Sequence, residues 1–158
     1  MATQDAFLRL FGTTSAAGVK TGDAMTSTTM TSDVIKCGSS GADADHGLTA
    51  WNHGFGAMGG PARLVVLIGT VMNPITSASF TLTQGSDAAV TTDTVVLYTE
   101  TILTAALTAD TVIIDVPLPE ITDQYIDFEV VNIGGDATTG TLSAWIQLGS
   151  TRGHGVVR

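Results

Sequence analysis

The feature that most constrains this chain is a series of short runs in which apolar and polar residues alternate. Ala78, Phe80 and Leu82 alternate with Ser79, Thr81 and Thr83, and Ile126, Phe128 and Val130 with Tyr125, Asp127 and Glu129. Leu142, Ala144, Ile146 and Leu148 alternate with Thr141, Ser143, Trp145 and Gln147. Val95 and Leu97 lie between polar flanks, and Val112, Ile114 and Val116 point one way with Asp115 opposite. A period of two is the mark of a strand with one buried and one wet face. Turn formers bound the runs at Gln84-Gly85-Ser86-Asp87, Pro117-Leu118-Pro119 and Gly134-Gly135-Asp136. That pattern predicts antiparallel strands in a sandwich or barrel. Arg63–Val71 is nearly continuous in apolar residues, as a strand covered on both faces requires.

Composition agrees. The 158 residues suit one domain, 44% of them are hydrophobic, and 26 threonines occupy positions that charged residues usually fill. Only 13% are charged, and the net charge is −9. No Lys or Arg lies between Leu64 and Gly149, where ten acids stand. Such a surface opposes direct binding of nucleic acid or of an anionic membrane, because both require a basic footprint. The longest apolar run, Leu64–Ile68, is far too short to span a bilayer, and the opening residues lack the apolar stretch of a signal peptide. A single cysteine, Cys37, cannot form an intrachain disulfide and fits a reducing cytoplasm, where it reads as a small buried filler.

The chain divides within one domain into an N-terminal arm with a short helix and first strand (1–37), a glycine-rich loop (38–61), a β-sandwich core (62–149) and a C-terminal tail (150–158). Asp5–Phe11 places Ala6 with Leu10 and Phe7 with Phe11 at helical spacing, and Gly12 follows as a stop. A helix this short must pack on a partner surface. Residues 12–32 read as an extended arm or loop, Val34–Cys37 as a short strand, and Thr104–Leu107 as a single helical turn.

Reactive side chains form no recognisable constellation. Gly-x-Ser-x-Gly, the phosphate-cradling loop and the dinucleotide fingerprint are all missing. Asp127 and Glu129 share one strand face, as a glycosidase pair would, but on a polar sheet face they read as solvated decoration. His46, His53 and His154 match no zinc spacing, and Asp43 with Asp45 gives only a fragment of a calcium loop. We therefore expect no enzyme, no cofactor and no metal.

The aromatic residues point to contact surfaces. Trp145 takes the outward parity of its strand, and a tryptophan on a polar face marks either a contact or a partly covered surface. Trp51, His53 and Phe55 form a bulky patch in the glycine-rich loop that suits burial against a partner.

In the order of several short segments, the chain resembles the capsid cement, or decoration, proteins of short-tailed bacteriophages. The similar segments are Asp5–Phe11, Asp33-Val34-Ile35 with Gly38, Leu64–Ile68, and Phe80–Ala89 with its Asp87-Ala88-Ala89 turn. They continue through Leu103–Leu107, Val112–Val116 into Pro117-Leu118-Pro119, Gln124-Tyr125-Ile126, and Gly134-Gly135 leading into Thr139-Gly140-Thr141. The 39–61 loop and the tail Thr151–Arg158 depart from the family pattern. The resemblance implies a jelly-roll-like β-sandwich on the outside of the virion, bridging neighbouring major capsid proteins and carrying no catalytic residues.

On that reading the contacts to the major capsid protein come from the arm and the loop. Candidates in the arm are Phe7, Leu8, Arg9, Phe11, Lys20 and Lys36. Trp51, His53 and Phe55 follow in the loop, with Arg152 and Arg158 in the tail. Trp145 is the candidate for self-association, with a two-fold dimer expected ahead of a trimer. The rival expectation is a carbohydrate- or receptor-binding sandwich that stacks its ligand on Trp51, Trp145 and Tyr98.

Overall fold

The computed structural model describes residues 9–14, 20–36, 62–119, 121 and 123–147. Among these, twelve strands follow one another: β1 (Arg9–Phe11), β2 (Thr13–Thr14), β3 (Lys20–Thr21), β4 (Asp23–Ala24), β5 (Thr29–Thr31), β6 (Ile35–Lys36), β7 (Arg63–Asn73), β8 (Ser77–Gly85), β9 (Val95–Leu103), β10 (Thr111–Pro117), β11 (Tyr125–Ile133) and β12 (Thr139–Gln147). Two antiparallel sheets pack against each other as an all-β sandwich. Sheet I has the order β1-β12-β7-β10, with β4 continuing the edge that β1 begins on β12. Sheet II has the order β5-β11-β8-β9, with β6 extending the edge beside β11. β2 and β3 form a separate small hairpin.

The core lies where the alternation predicts. Leu64, Val66, Ile68, Leu142, Ala144 and Ile146 line the inner face of sheet I, and Ala78, Phe80, Leu82, Ile126, Phe128 and Val130 that of sheet II. Full burial of each large side chain contributes about 1.5–3 kcal/mol before chain entropy is subtracted. The connection after β9 contains one 3-10 turn, Thr104–Ala106, at the position expected for a helical turn.

The N-terminal segment departs from the expectations in three ways. Arg9–Phe11 is a strand rather than the second half of a helix, and Asp5–Leu8 lie outside the described residues. A seven-residue helix is marginal, whereas the edge of β12 offers this segment backbone partners and a core to fill. Phe11 is therefore a core residue, buried and edge-on to Phe128 of the opposite sheet, and not a surface for a capsid partner. Gly12 turns the chain out of β1 with a φ of +91°, and its N–H donates to Asp23 Oδ2 at 2.7 Å. A Cβ there would lie 2.7 Å from the Ser143 hydroxyl, so this position requires glycine.

Residues 20–32, expected as arm or loop, supply the edge strands β4 and β5 to the two sheets, and the short strand expected at Val34–Cys37 is present as β6 (Ile35–Lys36). At the break between β5 and β6, the Ser32 hydroxyl accepts from the Phe128 N–H (3.0 Å) while the Ser32 N–H donates to the Phe128 carbonyl (2.9 Å). One side chain thus stands in for the missing backbone acceptor of the ladder. Buried Asn132 fixes the crossing between sheets, its Nδ2 donating to the Met25 and Ser27 carbonyls. A further departure is a bulge in β10. Its register slips between Val112 and Ile114, so Ile114 enters the core while Val112 is 49% exposed, contrary to the shared direction expected of them. Among the described residues no helix is long and apolar enough to cross a membrane.

Candidate functional site

The strand registers assemble one distinctive row across the outer face of sheet I. Arg9 of β1 lies opposite Trp145 of β12, Trp145 opposite Val65 of β7, and Val65 opposite Asp115 of β10. Trp145 points away from the core, as its parity predicts, because Ala144 and Ile146 on either side are buried. Val65 also points outward, between Leu64 and Val66, yet it is only 5% exposed and stands apart from the core cluster. Because Val65 is already covered, the accessible part of the row is a short strip of half-buried Arg9 and Trp145. Such a strip is suited to burial against another protein, where tryptophan and arginine carry much of the binding energy.

Two residues along β7 from Val65, Arg63 grips Asp115 through Nε to Oδ1 at 2.7 Å and Nη2 to the backbone carbonyl at 2.9 Å. Both side chains are substantially exposed, so the pair contributes only about 0.2–1 kcal/mol. Its consequence is electrostatic, since it neutralises the acid at that end of the row.

The outer face of sheet II has the opposite character. Asp127 and Glu129 project from β11 at i, i+2, as expected from their spacing. Asp127 faces Thr83, and Glu129 is flanked by Thr31 and Thr81, which faces Thr99 in turn. The Thr81 and Thr99 hydroxyls are hydrogen-bonded at 3.2 Å. Burial, and then the charge of Glu129, holds the Asp127 carboxyl above its usual range. At the end of this face, where β11 begins, the backbone of Lys36 in β6 pairs with Tyr125.

A third feature is the β8–β9 connection. The Asp87 carboxylate accepts from the N–H groups of Thr92 (2.7 Å), Thr91 (2.8 Å) and Ala89 (3.2 Å), and from the Thr91 hydroxyl (3.0 Å). These bonds, Thr92's foremost, lower its pKa from 3.8 to about 2. They knot the loop so that Val90, at a φ of +51°, folds over Gly85, where a Cβ would meet the Val90 side chain at 3.1 Å. The Asp-Ala-Ala turn is thus a structural knot.

Of the contact candidates, Arg9 and Trp145 come together as cross-strand neighbours, which their spacing in the sequence could not reveal. A residue expected to touch capsid and one expected to drive self-association therefore belong to one surface. Lys20 and Lys36 lie in β3 and β6. Phe7, Leu8, Trp51, His53, Phe55, Arg152 and Arg158 lie outside the described residues, as do Cys37, Asp43, Asp45, His46 and His154. Trp145 and Tyr98, expected as stacking platforms, stand in different sheets, and the Tyr98 hydroxyl donates to the Glu100 carboxylate. No group of three metal-ligating side chains occurs among the described residues. In comparisons with known proteins, no family model matches the chain and no curated protein matches it.

Proposed function

We propose that this chain is a structural cement protein that binds the outer surface of a phage head, bridges neighbouring major capsid proteins and stabilises the shell. The observation that carries this reading is the contrast between the two outer faces of the sandwich. Sheet I presents Arg9 beside Trp145, whereas sheet II presents Asp127 and Glu129 among threonines. A protein held between a shell and solvent needs one face that loses water readily and one that keeps it. The base-free stretch from Leu64 to Gly149 fits the second role and would be repelled by packaged genome. Weak contacts repeated over a symmetric shell then add to firm attachment.

The strand wiring supports the finer, jelly-roll reading of the sandwich. Taking β1 with β4 and β5 with β6 as single edge positions, successive strands alternate between the sheets except at the β8–β9 hairpin. Alternation of this kind is how two Greek keys build a jelly roll. The resemblance to cement proteins of short-tailed phages adds the partner, the major capsid protein, and the place, the outside of a virion assembled in the host cytoplasm.

The test is to mix the chain with purified heads that lack it, remove the unbound fraction and measure the ratio of chain to shell protein. A fixed, saturable ratio is expected. Heads that retain none, together with reproducible sugar binding by the isolated chain on a glycan array, would replace this reading with the carbohydrate-binding one.

A further inference from the structure

The four sheet edges of the sandwich differ in how well they are protected. The edges flanking β12 and β11 are broken into pieces of two or three residues. β10, the outer strand of sheet I among the described residues, carries a bulge, the ion-paired Asp115 and a terminal proline, Pro117. Short pieces, bulges, charges and proline are the devices that keep a sheet edge from pairing with another chain. β9, the outer strand of sheet II among the described residues, has a bulge at Leu97 and one charge, Glu100, but is a continuous nine-residue strand without lysine or proline, and leaves Val95, Val96 and Leu103 exposed at 50%, 55% and 65%.

We infer that β9 pairs antiparallel with β9 of a second copy across a two-fold axis at Thr99, joining two sheets II into one continuous sheet. The strand Val95–Leu103 is self-complementary in this register. Thr99 meets Thr99, and the Tyr98–Glu100 pair, hydrogen-bonded within each chain, meets its own symmetry copy with no carboxylate set against another. Leu97 is the extra residue of a bulge where Tyr98 pairs with Leu82 and Val96 with Thr83. Carried to the free edge, the bulge brings Val95 opposite Ile102 and Val96 beside Leu103, which covers the exposed apolar ends. Sliding the axis to Glu100 would oppose two carboxylates, and sliding it to Thr101 would set Glu100 against Ile102. Charge and hydropathy therefore favour the Thr99 register over these two. The outer face also continues without interruption, because Thr99 already closes the threonine row that runs from Thr31 past Glu129 and Thr81.

This pairing stands apart from the capsid reading, and it moves self-association away from Trp145. The test uses Thr99, an exposed outward residue whose substitution leaves the core untouched. The wild-type chain is expected to sediment as a dimer at about 100 μM, within the range of standard-sized interfaces. Thr99→Lys and Thr99→Glu should each weaken the dimer at least about tenfold, because like charges then meet at the axis. An equimolar mixture of the two variants should recover a dimer containing one of each. Trp145→Asp should leave the dimer unchanged. A wild-type chain that stays monomeric, a dimer indifferent to both Thr99 variants, or variants that fail to rescue each other would overturn the proposal.

Discussion

The ring of Phe11 meets the ring of Phe128 edge-on, with centroids 6.0 Å apart and planes inclined by 63°. Phe128 in turn stacks on Phe80 at 6.3 Å, so three aromatic rings from three strands run through the middle of the sandwich. Arg9–Phe11 is separated from its partner strand β12 by more than a hundred residues of sequence, yet it closes the core.

Phe11→Ala should therefore destabilise the whole domain, by about 3–5 kcal/mol, through the lost burial and the cavity left behind. Urea denaturation followed by tryptophan fluorescence checks this, with a midpoint shift at constant slope as the expected result. A loss below about 1 kcal/mol, the size of an exposed-site change, would show that the segment is not integral to the core.

Asn132 should be similarly sensitive for a different reason. Its Nδ2 serves two backbone carbonyls at the crossing from sheet I to sheet II, at 3.3 Å from Met25 and 2.9 Å from Ser27. Asn132→Ala leaves both without that donor and should cost about 1–3 kcal/mol. Amide exchange should rise first across 25–28, where the Asn132 N–H also bonds to the Thr28 carbonyl. Uniform exchange across the sandwich would contradict a local clasp.

Acid should loosen the β8–β9 connection through Asp87. Its carboxyl is held at about 2 in the fold and returns to 3.8 when the chain unfolds, so the folded state binds the proton less readily. The stabilisation is complete above 3.8 and disappears as pH falls toward about 2. Asp127 acts in the opposite sense: its pKa is raised, so the fold takes up a proton before the unfolded chain does and gains relative stability on acidification. Asp87→Ala should flatten the loss of stability between about pH 4 and pH 2, whereas Asp127→Asn should relieve a penalty present at neutral pH. Thermal midpoints measured across this range for the two variants check both signs.

Much of the fold was legible in the sequence. Period-two alternation assigned the inward sets of β8, β11 and β12, and it placed Trp145 on the outside. The edge strands β1, β4 and β5 were not legible, because two or three residues are too few to display a period, whereas the apolar Val34-Ile35 pair did mark β6. Asp5–Phe11 has genuine helical spacing, but tertiary pairing along β12 overrides it at Arg9–Phe11. Val112 misled for another reason: a bulge reverses the direction of every side chain beyond it and leaves no compositional mark. The candidate strip shows the same division. Parity gave the direction of Trp145, whereas its neighbours Arg9 and Val65 follow from long-range register, which no local pattern encodes.

The account rests on sheet I facing the shell and sheet II facing water, and occupancy of purified heads by paired surface variants tests this most directly. Trp145→Asp, on the outer face of sheet I, and Thr29→Asp, an exposed position of β5 in sheet II, each add one charge to the surface. With folding of both variants verified, Trp145→Asp should lower head occupancy at least about tenfold and Thr29→Asp should leave it at the wild-type level. Equal retention of the two variants, or loss with Thr29→Asp alone, would contradict the assignment of the faces.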